Sequence, residues 1–86
     1  MSFLRSETAQ CTHVPATKAE PRAEACEACG SRVNLRVCAE CGHVGCCESQ
    51  AGHNRVHALD AGHPVIIQMP IGTRSFTWCY DCNRYV

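Results

Sequence analysis

Residues 38–63 read CAECGHVGCCESQAGHNRVHALDAGH, and this stretch holds four of the nine cysteines and four of the five histidines of an 86-residue chain. Cys38 and Cys41 are spaced so that both sulfurs can face one metal ion from the ends of a tight turn, with histidines downstream to complete the shell. The stretch therefore reads as the centre of a zinc-stabilised domain, to which the rest of the chain contributes further ligands.

Length and composition support that reading. A chain this short buries only about 60% of the surface its unfolded form exposes. Ten alanines and nine cysteines make up much of the 45% hydrophobic content, so the core of larger side chains is thin. Disulfides or structural metal usually compensate at this size. Nine is an odd number for a disulfide framework, and histidine has no part in one, whereas imidazole is a routine zinc ligand. The opening residues MSFLRSETAQ lack the apolar run of a secretory signal, and no apolar run approaches the roughly 18 residues of a membrane span. The expected setting is reducing and cytoplasmic, away from membranes. Eight basic and eight acidic residues leave no net charge, and the arginines are dispersed, which argues against a nucleic-acid partner.

Outward from the central stretch, residues 1–10 are expected to form a flexible lead-in and residues 11–86 the domain. Cys11 and His13 are the first candidate ligands. Residues 14–25, with two prolines and no apolar period, predict a loop. Cys26 and Cys29 repeat the two-residue spacing, and Gly30 follows at once. Val33, Leu35 and Val37 alternate with polar residues, predicting a strand that runs into Cys38, with a short return strand from His43 to Cys46. Residues 54–61 predict a helix with Val56 and Leu59 on one side, stopped by Gly62 and Pro64. Further strands are expected over 65–69 and 74–78, the latter leading into Cys79 and Cys82. The expected fold class is α+β, a small twisted antiparallel sheet with one main helix and room for a second short one.

Nine cysteines and five histidines supply fourteen candidate ligands, and three tetrahedral sites need about twelve. The pairs Cys26/Cys29, Cys38/Cys41 and Cys79/Cys82 each offer half a site. Cys11, His13, His43, Cys46, Cys47, His53, His57 and His63 compete for the remaining six places, and spacing alone does not choose among them.

The order Cys-x-His, Cys-x-x-Cys-Gly, Cys-x-x-Cys-Gly-His-Val-Gly-Cys, His-x-x-x-His, Gly-His-Pro and Trp-Cys-Tyr-x-x-Cys resembles the ubiquitin-binding UBP-type zinc finger. That module occurs in deubiquitinating enzymes and one class of histone deacetylase, and the adjacent Cys46 and Cys47 are most similar to its short stand-alone bacterial members. The resemblance runs from Cys11 to Val86. It implies one site of Cys26, Cys29, Cys46 and His53, a second of Cys38, Cys41, His57 and His63, and a third of Cys11, His13, Cys79 and Cys82. His43 and Cys47 are then spare. Two or three zinc ions are expected, all structural. With every site full there is no open position for water, so no enzymatic activity is expected.

The resemblance also implies a peptide-binding groove. Relatives that bind ubiquitin hold its C-terminal carboxylate between aromatic walls, with an arginine as anchor. Trp78, Tyr80 and Tyr85 occupy aromatic positions of that pocket. Arg36 stands where the family has tryptophan and is a fourth candidate peptide-binding residue, as a substitute cation; Glu48 stands where the family has the anchoring arginine, and Ser49 where it has tyrosine. A carboxylate beside a carboxylate is repulsive. The expectation is a monomeric module for a protein or peptide tail other than the ubiquitin terminus; the alternative is a zinc-linked redox or metal-responsive protein using Cys47.

Overall fold

A computed structural model describes residues 11–86; the expected lead-in over 1–10 lies outside the described residues. Five short strands form one antiparallel sheet: β1 (Leu35–Cys38), β2 (Val44–Cys46), β3 (Val65–Gln68), β4 (Thr77–Cys79) and β5 (Arg84–Tyr85), in the order β2-β1-β3-β4-β5. A single helix among the described residues, α1 (His53–Ala61), connects β2 to β3. The α+β class is as expected from the sequence.

The register divides the side chains between two faces. Leu35 pairs with Cys46, Val37 with Val44 and Ile67, and Val65 with Cys79. These residues form the buried core together with Cys26 and Ala39, and Cys11, Val14, Ala23, Met69 and Cys82 pack against it. The other face carries Arg36, Cys38, Gly45, Ile66, Trp78 and Tyr85. Helix α1 lies against this second face over Gly45. A Cβ on Gly45 would sit 2.5 Å from the Asn54 backbone nitrogen, so the helix approaches this strand as closely as a hydrogen side chain allows.

Three knuckles share one construction. In each Cys-x-x-Cys pair the following residue turns left-handed and its N–H donates to the carbonyl of the first cysteine: Gly30 to Cys26 (2.8 Å), Gly42 to Cys38 (2.9 Å) and Asn83 to Cys79 (2.8 Å). Their φ angles are 79°, 82° and 58°. Glycine is the usual occupant of this region, and asparagine is among the few other residues that visit it.

The strand expected over 33–37 begins only at Leu35, because Asn34 is itself left-handed (φ 54°) and leaves Val33 60% exposed. The helix starts one residue earlier than expected, and its Val56–Leu59 side faces outward, the two residues being 52% and 62% exposed. Asn54 and Ala58 are buried instead. Strand β4 occupies 77–79 rather than the expected 74–78, because residues 70–75 form a turn in which the Ser75 hydroxyl donates to the Pro70 carbonyl and accepts from the Gly72 N–H. Strand β5, which local pattern does not predict, then closes the sheet by pairing Tyr85 with Trp78.

Candidate metal centres and the cleft beside them

Folding gathers three groups of four side chains, in each of which all ligand atoms lie within 4.8 Å of one another: Cys26, Cys29, Cys46 and His53; Cys38, Cys41, His57 and His63; Cys11, His13, Cys79 and Cys82. In the first, His53 Nδ1 lies 3.5 Å from Cys26 Sγ and 3.3 Å from Cys46 Sγ, and the sulfurs of Cys29 and Cys46 are 4.0 Å apart. In the second, His63 Nδ1 is 3.5 Å from Cys38 Sγ and His57 Nε2 is 3.3 Å from Cys41 Sγ. In the third, His13 Nδ1 lies 3.5 Å from Cys11 Sγ, 3.5 Å from Cys79 Sγ and 3.4 Å from Cys82 Sγ. A tetrahedral zinc ion with Zn–S of about 2.3 Å and Zn–N of about 2.0 Å sets sulfur and nitrogen about 3.5 Å apart. Donor chemistry and spacing therefore fit three zinc ions.

Each group joins segments distant in sequence. The first knuckle meets the end of β2 and the start of α1. The second meets the middle of α1 and the residue before Pro64, and the third ties residues 11 and 13 to the end of β4. His57, one turn beyond His53 on α1, serves a different group, which explains the orientation of the helix. Its azimuth is set by two imidazoles turned toward sulfur rather than by its apolar residues.

The two histidines on α1 shift in opposite directions. Burial pulls His57 below its ordinary pKa, and the neighbouring His43 and His63 rings add to this, so the imidazole stays neutral as ligation requires. His53 shifts upward, held by hydrogen bonds to Cys46 and Cys26. A carboxylate within the knuckle stands behind two of the histidines: Asp81 lies 3.5 Å from His13 Nε2, and Glu40 lies 3.7 Å from His63 Nε2. Such partners orient a metal-binding imidazole.

His43 and Cys47 fall outside all three groups. The His43 ring stacks on His57 at 4.0 Å and 7°, and its Nδ1 is buried without a hydrogen-bond partner. Cys47 Sγ lies 2.8 Å from the Ser49 hydroxyl. Burial opposes its ionisation, but bonds from the Ser49 side chain and backbone, with Arg36 nearby, bring the thiol below its ordinary value.

Beside α1, on the sheet face opposite the core, an open cleft of about 920 Å³ is lined by Arg36, Glu48, Phe76, Trp78, Tyr80 and Tyr85 among others. The Trp78 ring stands nearly perpendicular to Tyr85 (4.9 Å, 80°) and to Tyr80 (6.5 Å, 75°). Phe76, not among the residues expected in this groove, meets Tyr85 at 5.3 Å and carries the Arg36 guanidinium 4.9 Å from its ring centre. The period-two spacing of residues 76, 78 and 80 was the available signal. Glu48 faces Arg55 at 3.4 Å. Tyr80 donates to Asn54 Oδ1 (2.7 Å), while Asn54 Nδ2 donates to the Cys46 carbonyl (2.7 Å). Burial, with Glu48 adding to it, pushes the Tyr80 phenol up to about 12, so it remains a donor at neutral pH.

Comparison with known proteins agrees with this geometry. The profile of the family described as Zn-finger in ubiquitin-hydrolases and other protein matches residues 26–86. The BRCA1-associated proteins of Mus musculus and Homo sapiens are each 33% identical over 61 residues, which is 71% of this chain but 10% of each relative. The solution NMR structure of protein RPA1320 from Rhodopseudomonas palustris superimposes with a TM-score of 0.73 at 38% identity, covering 88% of this chain and 79% of that one. Since the profile spans most of the chain, the chain belongs to the family of zinc fingers found in ubiquitin hydrolases and other proteins.

Proposed function

We propose that residues 11–86 form a single zinc-held interaction module, in which the three groups each bind one structural zinc ion and the aromatic cleft grips a protein or peptide segment. The reading rests chiefly on the cleft, where Phe76, Trp78, Tyr80 and Tyr85 gather on one sheet face beside the exposed Val56 and Leu59. Rings held perpendicular to one another offer flat walls to an extended chain. Each metal group already has four protein donors, so zinc has a structural rather than a catalytic role.

Glu48 decides the class of ligand disfavoured. A peptide ending in a carboxylate would meet this side chain in place of the family's arginine, and Arg55 is already engaged with it. The preferred partner is therefore a segment other than the ubiquitin terminus. Isotope-labelled protein titrated with a peptide ending in Gly-Gly tests this, with no shifts expected at Trp78 or Tyr80 at micromolar peptide. Micromolar saturation there would remove the argument from Glu48. The cleft itself is tested by selecting binders from a random peptide library on the full chain. Their retention by a folded Trp78→Ala variant would exclude the cleft as the binding surface.

The alternative, a redox role for Cys47, draws on its bond to Ser49 and its lowered pKa. Its 7% exposure opposes that role. Alkylation of one thiol per chain with zinc retained would favour it over the interaction reading.

A further inference from the structure

We infer that the first two metal groups load zinc as a coupled pair, that the third loads separately, and that the pair controls whether the cleft exists. The inference builds on the proposed zinc sites and adds to them a relation between sites.

The two groups share the helix and the β1–β2 hairpin. His53 and His57 lie on one nine-residue helix, yet the first joins Cys26, Cys29 and Cys46 and the second joins Cys38, Cys41 and His63. The β1–β2 hairpin divides its cysteines in the same way, with Cys38 and Cys41 in one group and Cys46 in the other. A further bridge runs behind them. The Glu27 amide, inside the first knuckle, donates to the Val44 carbonyl (2.9 Å), and the Glu27 carboxylate accepts from the Val44 N–H (2.9 Å). Arg22 grips that carboxylate at 3.0 Å, and its own amide donates to the carbonyl of Gly42, the residue that closes the second knuckle.

Beyond the two Asn54 hydrogen bonds and the Gly62 C-cap, the helix has little else to hold it. Its N-cap is Gly52, with no side-chain capping bond, and it has no acidic residue in its first turn and no basic residue in its last. It buries Asn54 and Ala58 while exposing Val56 and Leu59. Helices of this length are marginal alone in water. An ion bound by either histidine must bear the cost of ordering the helix, and the other histidine then arrives already placed. A second ion binding to a framework ordered by the first is positive coupling. The third group uses residues 11, 13, 79 and 82, none of them on the helix.

The cleft depends on the same helix. Gly52, Asn54, Arg55, Val56 and Leu59 form one of its walls, and Asn54 anchors Tyr80. Without the paired ions that wall is lost.

The test is a zinc titration of the metal-free full chain, followed by the ring signals of its histidines and by native mass spectrometry. The His53 and His57 signals are expected to change over one common range of added zinc and the His13 signal over its own range. In His57→Ala, zinc affinity at the group containing His53 should fall about tenfold or more, the scale of ordinary site coupling, while the third group stays within about twofold of the wild type. Separate transitions for His53 and His57 in the wild type would overturn the coupling even if His57→Ala fails to fold. A chain that takes up fewer than two ions would overturn the zinc reading itself, a result distinguishable from three ions bound independently.

Discussion

Asn54 is the buried polar side chain among the described residues, 3% exposed, and it satisfies two groups at once. Asn54→Ala would leave the Cys46 carbonyl and the Tyr80 hydroxyl without these partners. Its expected cost is about 2–3 kcal/mol, read as a lowered midpoint in denaturant. An unchanged midpoint would mean that water replaces both bonds. The sequence held no sign of this role, since an asparagine at the start of a helix ordinarily reads as a cap. The three Cys-x-x-Cys pairs are far more legible, because that spacing suits one metal ion, whereas spacing leaves open which of the other cysteines and histidines join them. Cys29→Ala is expected to lower the zinc count by at least one ion per chain, and Cys47→Ala to leave it unchanged, as native mass spectrometry can measure.

At the scale of elements, the three knuckles could be read directly from residue spacing, and the helix could be read in extent but not in orientation. Apolar periodicity points Val56 and Leu59 inward, whereas His53 and His57 turn that side out. Two ligand contacts outweigh two aliphatic side chains, since structural zinc contributes on the order of 10 kcal/mol and one buried leucine about 2 kcal/mol. Leu59→Gln is accordingly expected to change stability by less than about 0.5 kcal/mol in a thermal melt. A loss of several kcal/mol would indicate that this face packs in solution.

Among the 76 described residues, the buried valine, leucine and isoleucine side chains are Leu35, Val37, Val44, Val65, Ile66 and Ile67, a thin core. Chelation of zinc is therefore expected to unfold the domain, seen as collapse of amide dispersion, with recovery on zinc return. Retention of dispersed signals in chelator would show that the core suffices alone. Strand order and the long closure between residue 11 and residue 82 could not be read from local pattern, because pairings so distant leave no periodic trace. Two-residue β5 was equally hidden, since its pairing follows from the turn at Asn83 rather than from its own residues.

That turn gives the three knuckles unequal tolerance. Around Gly30 nothing lies within 4 Å of an added Cβ, whereas at Gly42 the Glu20 carbonyl occupies that place. Asparagine already serves at position 83, so the first knuckle is an interchangeable cassette and the second is not. Gly30→Asn should fold and bind metal like the parent, and Gly42→Asn should lose thermal stability by several degrees or more. Equal melting of the two would show that the strand of chain at Glu20 yields. A pattern for detecting such knuckles in unfamiliar sequences should therefore admit asparagine after the second cysteine, and demand glycine only where another segment crosses overhead.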